Sequence, residues 1–227
     1  MITLGFDTAT PSSTVALQTS DGGIYEARDD VPLGSRGHHA ECVLALAAGL
    51  LDQAALTWSD IERVAVGLGP GGYTGLRIGI ATARGLARAH DASLTGVGTL
   101  RALAEPASGF MALTILDARR GELFIAAYAD GLEVLAPRVI VPAELSELEL
   151  PVTTAPLLAL GDGALANRSR LADAGISVAP EGSVLHLVSA SAICRLASAG
   201  EGVTGEQLAP LYLRLPDAEL ALRASLT

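Results

Sequence analysis

Four glycines and a proline between Val66 and Thr74 constrain this chain more than any other stretch. Residues 63–66 read as a short buried strand, and residues 76–90 repeat with helical period, with Thr74 standing where an N-cap belongs. A strand that turns into a helix through so much glycine can press backbone against backbone, or against a ligand, with no Cβ between. It also aims helix N–H groups at whatever lies there. Three readings compete. A phosphate loop of the lysine type needs Gly-Lys-Ser/Thr before the helix; here the residues are Tyr73-Thr74-Gly75-Leu76 and the chain has no lysine, which excludes it. A dinucleotide fingerprint fits Gly67, Gly69 and Gly72, with Asp91 downstream, but Pro70 lies inside the turn and Asp91 follows a helix rather than a second strand. The third reading is a structural turn that packs a glycine-faced helix onto a sheet, and composition alone favours it.

The 227 residues suffice for one large domain or two small ones. Half of them are hydrophobic, yet no apolar run is long enough for a bilayer, and Met1-Ile2-Thr3 opens no signal peptide, so a soluble cytoplasmic protein is expected. Cys42 and Cys194 are too few and too isolated for a disulfide framework or a zinc site and read as small buried apolar residues. A net charge of −10 makes the chain alone a poor ligand for nucleic acid, whose phosphates call for clustered positive charge.

In chain order, residues 2–7, 14–19 and 24–28 read as three strands on tight turns, an antiparallel meander. Asp7 closes the first strand. It could hold a metal or phosphates, or simply bond its own turn. A helix is expected over 38–54, with Ala40, Val43, Leu44, Ala47, Leu50, Leu51 and Ala54 on one face and the nearly uncharged Cys42, Ala45, Leu46, Ala48 and Gly49 on the other. One side can cover its own sheet; the other needs a second helix or a second protein. His38 and Cys42 are four apart, but two ligands make no metal site. Residues 57–62 suggest a short capped helix. In the helix after the glycine loop, Gly75, Gly79 and Ala83 form a smooth stripe, and Arg77, Arg84 and Arg88 a row within about 40° of one another. That row is either a recognition surface or a solvated face.

Residues 93–97 read as a strand, 99–104 as a short helix, and 106–109 as the best boundary. Then the opening pattern returns: a strand at 113–117 ending in Asp, a second at 122–129, Asp130-Gly131, and a third at 132–135. Asp7 to Asp21 spans fourteen positions and Asp117 to Asp130 thirteen, an ordered internal repeat. After it come a helical stretch at 142–148, a strand at 157–160, a second glycine turn Gly161-Asp162-Gly163 before a helix, an apolar helix at 184–199 and an extended segment at 208–214.

Two strand-meander-then-helix units, each with an Asp after its first strand, resemble the actin, Hsp70 and sugar-kinase ATPase fold. The implied architecture is α/β and two-lobed, made of duplicated ribonuclease-H-like units with the second lobe reduced: 1–105, 106–214 and a tail at 215–227. A closer resemblance lies in Gly69-Pro70-Gly71-Gly72-Tyr73-Thr74-Gly75-Leu76-Arg77-Ile78-Gly79, which is similar to the Gly-Pro-Gly-Ser-Phe-Thr-Gly-Leu-Arg-Ile-Gly signature of the bacterial TsaB (YeaZ) family. Phe-Asp-Thr-Ala-Thr at 6–10, Asp-Ala-Arg-Arg-Gly-Glu at 117–122 and Pro-Leu-Tyr-Leu-Arg at 210–214 match the same family. Gly72 for Ser and Tyr73 for Phe are mild departures.

The resemblance implies a non-catalytic part in making threonylcarbamoyladenosine, the modified base 3′ of the anticodon in tRNAs reading codons that begin with A. The catalytic relative, TsaD, carries a His-x-x-x-His metal pair where this chain has Thr99 and Leu103, neither a metal ligand. The implied partners are TsaD, the small ATPase TsaE through the complex, tRNA only as part of that complex, and a second copy when the partner is absent. The implied partner surface comprises Ala40, Val43, Leu46, Ala47, Leu50, Gly75, Arg77, Gly79 and Ala83. Asp7, Thr8, Gly69, Gly71, Thr74 and Asp117 are the nucleotide-proximal set, should a nucleotide sit at a heterodimer boundary; no other cofactor and no metal are implied. Two other classes stay open: an autonomous ATPase or small-molecule kinase of the same fold, and a metallopeptidase, which would lack His-Glu-x-x-His.

Overall fold

The computed structural model describes residues 1–29, 39–200 and 202–214. The meander is present as β1 (Thr3–Asp7), β2 (Thr14–Gln18) and β3 (Ile24–Arg28), and β4 (Arg63–Gly67) and β5 (Ser93–Val97) add to it in parallel, giving the order β3-β2-β1-β4-β5. A second meander, β6 (Met111–Arg119), β7 (Glu122–Ala129) and β8 (Leu132–Ile140), takes up β9 (Leu157–Leu160) and β10 (Ser177–Val178) in parallel, in the order β8-β7-β6-β9-β10. The two sheets therefore share one strand order and one pattern of pairing. The protein is a two-lobed α/β fold, and Asp7 and Asp117 stand near the same end of the first strand in each lobe.

Five layers result. Helices α1 (His39–Gln53) and α2 (Tyr73–His90) cover the outer face of the first sheet. Helices α3 (Thr99–Ala104) and α6 (Ala190–Ser198) lie between the sheets, and α4 (Asp162–Ala166) and α5 (Arg168–Asp173) cover the far face of the second. Period-two alternation builds this directly. On β1, Leu4 and Phe6 enter the core under α1 and α2, while Gly5 faces α6. On β6, Leu113 and Ile115 enter the outer core and Ala112 and Leu116 the middle one. Small residues let α6 close on the first sheet: a Cβ on Gly5 would stand 2.6 Å from Cys194 Sγ. Burial pushes the Cys194 thiol up to about 12, in keeping with an inert core residue.

The sheet holds α6 by its dipole. At the N-terminus Glu26 of β3 accepts the Ala190 N–H (2.9 Å), the Ser191 N–H (3.3 Å) and the Ser189 and Ser191 hydroxyls. At the C-terminus Arg63 of β4 donates to the Ala197 carbonyl. Burial pushes the Glu26 carboxyl up, but the donors from Ser191, Thr14, Ala190 and Ser189 outweigh it and hold the group below its ordinary value of 4.5. A depressed carboxylate contributes stability that is present above pH 4.5 and is lost as pH falls through the folded-state value. Glu26→Ala is expected to cost about 2 kcal/mol at neutral pH, from the lost cap and unsatisfied helix donors. Urea titrations should show that gap narrowing below pH 4.5; a gap independent of pH would mean that charge has no part in it.

Several expectations shift. The 184–199 helix is two pieces, a single 3-10 turn at Val184–His186 and then α6, because His186 turns inward to Gly161 and Ala179 (both 3.1 Å) and Ser189 caps the second piece. Thr74 is not the N-cap: α2 begins at Tyr73, with Gly72 as its cap. Residues 57–62 hold only a 3-10 turn, Trp58–Asp60. β8 runs to Ile140, five residues past the expected end, and accommodates Pro137 because it is an edge strand. Although 106–214 is expected to form the second lobe, α6 and residues 203–208 return to pack against the first sheet.

Candidate functional site

A cleft of about 880 Å³ opens between the lobes. Its first-lobe wall is the β1–β2 turn and the glycine loop, and these two segments are locked together. The Gly72 N–H donates to Ala9 O (2.7 Å) and the Thr8 hydroxyl to Gly75 O (2.8 Å). A Cβ on Gly71 would lie 2.3 Å from Ala9 O, one on Gly75 2.0 Å from Thr8 O, and one on Gly79 2.3 Å from Thr8 Oγ1. The glycines thus serve close approach within the chain, the third of the three readings. The dinucleotide reading fails on Asp91, a left-handed C-cap of α2 (φ 52°) rather than a strand-end acid.

Asp7 is wholly buried behind this wall. Its Oδ1 accepts the Ala9 N–H and its Oδ2 the Thr99 hydroxyl, both at 2.7 Å, and Thr99 in turn accepts the Gly69 N–H at 3.0 Å. Burial, against the Thr99 and Ala9 hydrogen bonds, raises its carboxyl above the usual range. Of the six residues expected near a nucleotide, Thr8, Gly71, Thr74 and Asp117 line the cleft; Asp7 and Gly69 stand behind it. Asp7 therefore bonds its own turn rather than facing the space.

The second-lobe wall has a different character. Asp117 pairs with Arg119 (3.3 Å), and its N–H donates to Asp162 Oδ1 (3.0 Å). Arg119, Arg120 and Gly121 all have positive φ, 65°, 56° and 78°. The turn is tight, with Arg119 opposite Glu122, and its twist demands left-handed residues. Burial, then repulsion from Asp117, raises Asp162 above the ordinary carboxylate range against the hydrogen bonds it accepts. Asp162, Arg119, Arg120 and His39 also line the cleft; the sequence marks Asp162 only through the second glycine turn, suggestive of a phosphate loop in the ATPase reading, and does not mark the other three as site residues. The second glycine turn flags Asp162 and the internal repeat flags the hairpin. His39, whose Nδ1 meets the Ser13 hydroxyl at 2.8 Å, has no sequence signal beyond opening a helix.

The expected partner surface needs correction. Val43, Ala47 and Leu50 are 1 %, 0 % and 4 % exposed and belong to the first lobe's own core, which Leu46 flanks. Gly75, Gly79 and Ala83 are buried too, facing Thr8 and the first sheet. The physical reason is the sheet itself: its outer face needs the smooth side of α2 so that the β1–β2 turn can fit beneath. What faces outward is a second row two positions away, Ala81, Gly85 and Ala89 on α2, with Leu44, Ala45 and Gly49 on α1. Arg77 is exposed but engaged, stacked over Tyr73 at 4.0 Å and donating to the Tyr212 hydroxyl at 3.2 Å. Arg84 donates to Leu208 O, so the arginine row in part clamps the chain's own C-terminal stretch. The Ala40 side chain and His38, with its suggested pairing to Cys42, lie outside the described residues.

Thr99 and Leu103 are both 0 % exposed, Thr99 between Asp7 and Gly69 and Leu103 in the middle core. Among the described residues no three His, Cys, Asp or Glu side chains are grouped to hold a metal, and no helix is long and apolar enough to cross a membrane.

The profile of the family described as TsaD, tRNA N6-adenosine threonylcarbamoyltransferase, matches residues 12–218, which places the chain among proteins of the threonylcarbamoyltransferase class. An uncharacterized protein of Mycobacterium tuberculosis is 33 % identical over 227 residues, covering 95 % of this chain and 93 % of that one. The tRNA threonylcarbamoyladenosine biosynthesis protein TsaB of Escherichia coli is 29 % identical over 93 % of this chain and 94 % of its own. The solved structure of YeaZ from Pseudomonas aeruginosa superimposes with a TM-score of 0.75 at 27 % identity, over 93 % of this chain and 99 % of that one. Within the class, the chain belongs to the TsaB (YeaZ) family.

Proposed function

We propose that this protein is the non-catalytic subunit of a tRNA N6-threonylcarbamoyltransferase, a scaffold and activator of its TsaD-type relative. The observation that carries the reading is what stands at positions 99 and 103. Where the catalytic relative holds its metal, this chain has a threonine committed to Asp7 and a core leucine, both without exposure. The site is converted into packing. An autonomous ATPase finds less support, since both oxygens of Asp7 are occupied by the chain itself.

The shared strand order of the two sheets supports the finer reading of the fold, duplicated ribonuclease-H-like units of the actin, Hsp70 and sugar-kinase type. Partner docking through α1 and α2 is supported by glycine where nothing inside the chain requires it. A Cβ on Gly49 or Gly85 would meet nothing within 4 Å. Glycine inside a helix costs about 1 kcal/mol relative to alanine, so its gain must come from elsewhere, here from a facing helix. In this reading TsaE and tRNA join through the complex, and a second copy covers the face when the partner is absent. A net charge of −10 fits a subunit that does not grip tRNA alone.

Reconstitution tests the proposal. Threonylcarbamoyl transfer to tRNA is expected from the TsaD-type relative, with TsaE, only when this chain is added, and no transfer or appreciable ATP hydrolysis from this chain alone. Steady turnover by the isolated chain, co-eluting with it on size exclusion, would sink the non-catalytic assignment.

A further inference from the structure

The end of the described chain changes character at Ala209-Pro210. Before it, both ends of the stretch 203–208 are anchored: Val203 bridges Leu94, donating its N–H at 2.7 Å, and Leu208 is 1 % exposed in the first-lobe core with its carbonyl held by Arg84 at 2.7 Å. After it, residues 211–214 cross the mouth of the interlobe cleft and form part of its wall. Their hold is of another kind. Leu211 and Tyr212 are 37 % and 40 % exposed, and a backbone bond to a distant element runs from the Leu211 N–H to Leu68 O at 2.7 Å. The Tyr212 N–H turns back to Pro210 O at 3.1 Å, Leu213 packs at the edge of the middle core, and side-chain contacts add the rest. Tyr212 stacks on Tyr73 with centroids 5.2 Å apart and accepts from Arg77, and Arg214 pairs with Glu122 at 2.8 Å. One foot of this segment therefore stands on α2, and the other on β7 of the second sheet.

We propose that residues 211–214 are a strap that unlatches from the cleft mouth on its own, hinged at Ala209-Pro210, while 203–208 stays in place. Sparse burial and half-exposed contacts are the marks of a segment that opens locally, well below the free energy of global unfolding. Pro210 has no N–H, so at that position the turn gives up no backbone donor. Detaching the strap removes one wall of the cleft and releases both lobes from a shared tie, so cleft access is set by the strap as well as by any lobe movement. The inference concerns the isolated chain and does not depend on the partner reading.

Residue-resolved hydrogen exchange on the full chain tests it. The Leu211 amide is expected to exchange much faster than that of Val203, although both donate at 2.7 Å. Tyr212→Ala should speed Leu211 about tenfold, the weight of a stacked aromatic pair. Arg214→Ala should speed it about threefold, as for a partly exposed ion pair. In dilute urea Leu211 exchange should stay nearly constant while Val203 exchange quickens, because opening the strap exposes little surface. Leu211 exchanging as slowly as Val203 in the unaltered chain would overturn the proposal. So would variants that leave Leu211 unchanged, or a Leu211 rate that climbs with urea as steeply as that of Val203; the segment would then be a fixed part of the core.

Discussion

Gly67→Ala is expected to destabilise the protein by about 3 kcal/mol or more, far beyond an ordinary glycine-to-alanine change, through the residue opposite rather than through backbone strain. A Cβ at this position would stand 1.8 Å from Asp7 Oδ2, and the carboxylate has nowhere to retreat. It is wholly buried between the Ala9 N–H and the Thr99 hydroxyl. Moving it forfeits both bonds and leaves a buried carboxyl group without partners. Thr99 also accepts from Gly69, so the displacement reaches the glycine loop and with it the start of α2. Urea unfolding at neutral pH measures the cost. The double variant Gly67→Ala with Asp7→Ala should fall short of the sum of the single effects by about 1–3 kcal/mol, since removing the carboxylate removes the collision. A Gly67→Ala chain within about 0.5 kcal/mol of the unaltered protein, the range of a surface change, would mean that Asp7 does not sit against this strand.

That same Asp7 shows where sequence reasoning reached and where it stopped. Its place at the end of β1, and that of Asp117 near the end of β6, followed from strand pattern and turn chemistry, as did the meanders and the existence, though not the parallel pairing, of β4 and β5. Local pattern fixes local structure when one period dominates. Whether Asp7 faces a ligand or its own turn depends on Thr99, which is 92 residues away, and no local signal carries that pairing. Arg119 and Arg120 illustrate a second limit. The hairpin they close is legible from the repeat, but their left-handed backbone comes from the register of β6 on β7, a tertiary fact. The stripe on α2 failed for a third reason. Helical spacing says that Gly75, Gly79 and Ala83 share a face, not which way the face looks, and Ala81, Gly85 and Ala89 make a second smooth row that sequence alone ranks no lower.

The direction of that face decides where a partner helix can dock. Gly85→Arg and Leu44→Arg are each expected to weaken binding to the TsaD-type relative about a hundredfold or more without lowering the melting midpoint. Gly85 lies in open space on α2, and Leu44 on α1 is 43 % exposed, so either arginine fits the isolated chain. In the proposed helical pairing the same arginine would be buried without a counter-charge, a cost of about 3–5 kcal/mol, or about two to nearly four orders of magnitude in affinity. Ala83→Arg must behave otherwise. Ala83 is 0 % exposed on the sheet-facing side of α2, so the substitution should unfold the protein and says nothing about a partner. Gly85→Ala separates the two effects more finely: it should stabilise the isolated chain by about 0.5–1 kcal/mol through helix propensity and still weaken the complex, because the methyl group stands where a facing backbone would come closest. A binding titration run beside a thermal melt reads both. Normal binding by folded Gly85→Arg and Leu44→Arg would place the partner surface elsewhere, and the unneeded glycines of α1 and α2 would lose the explanation offered for them.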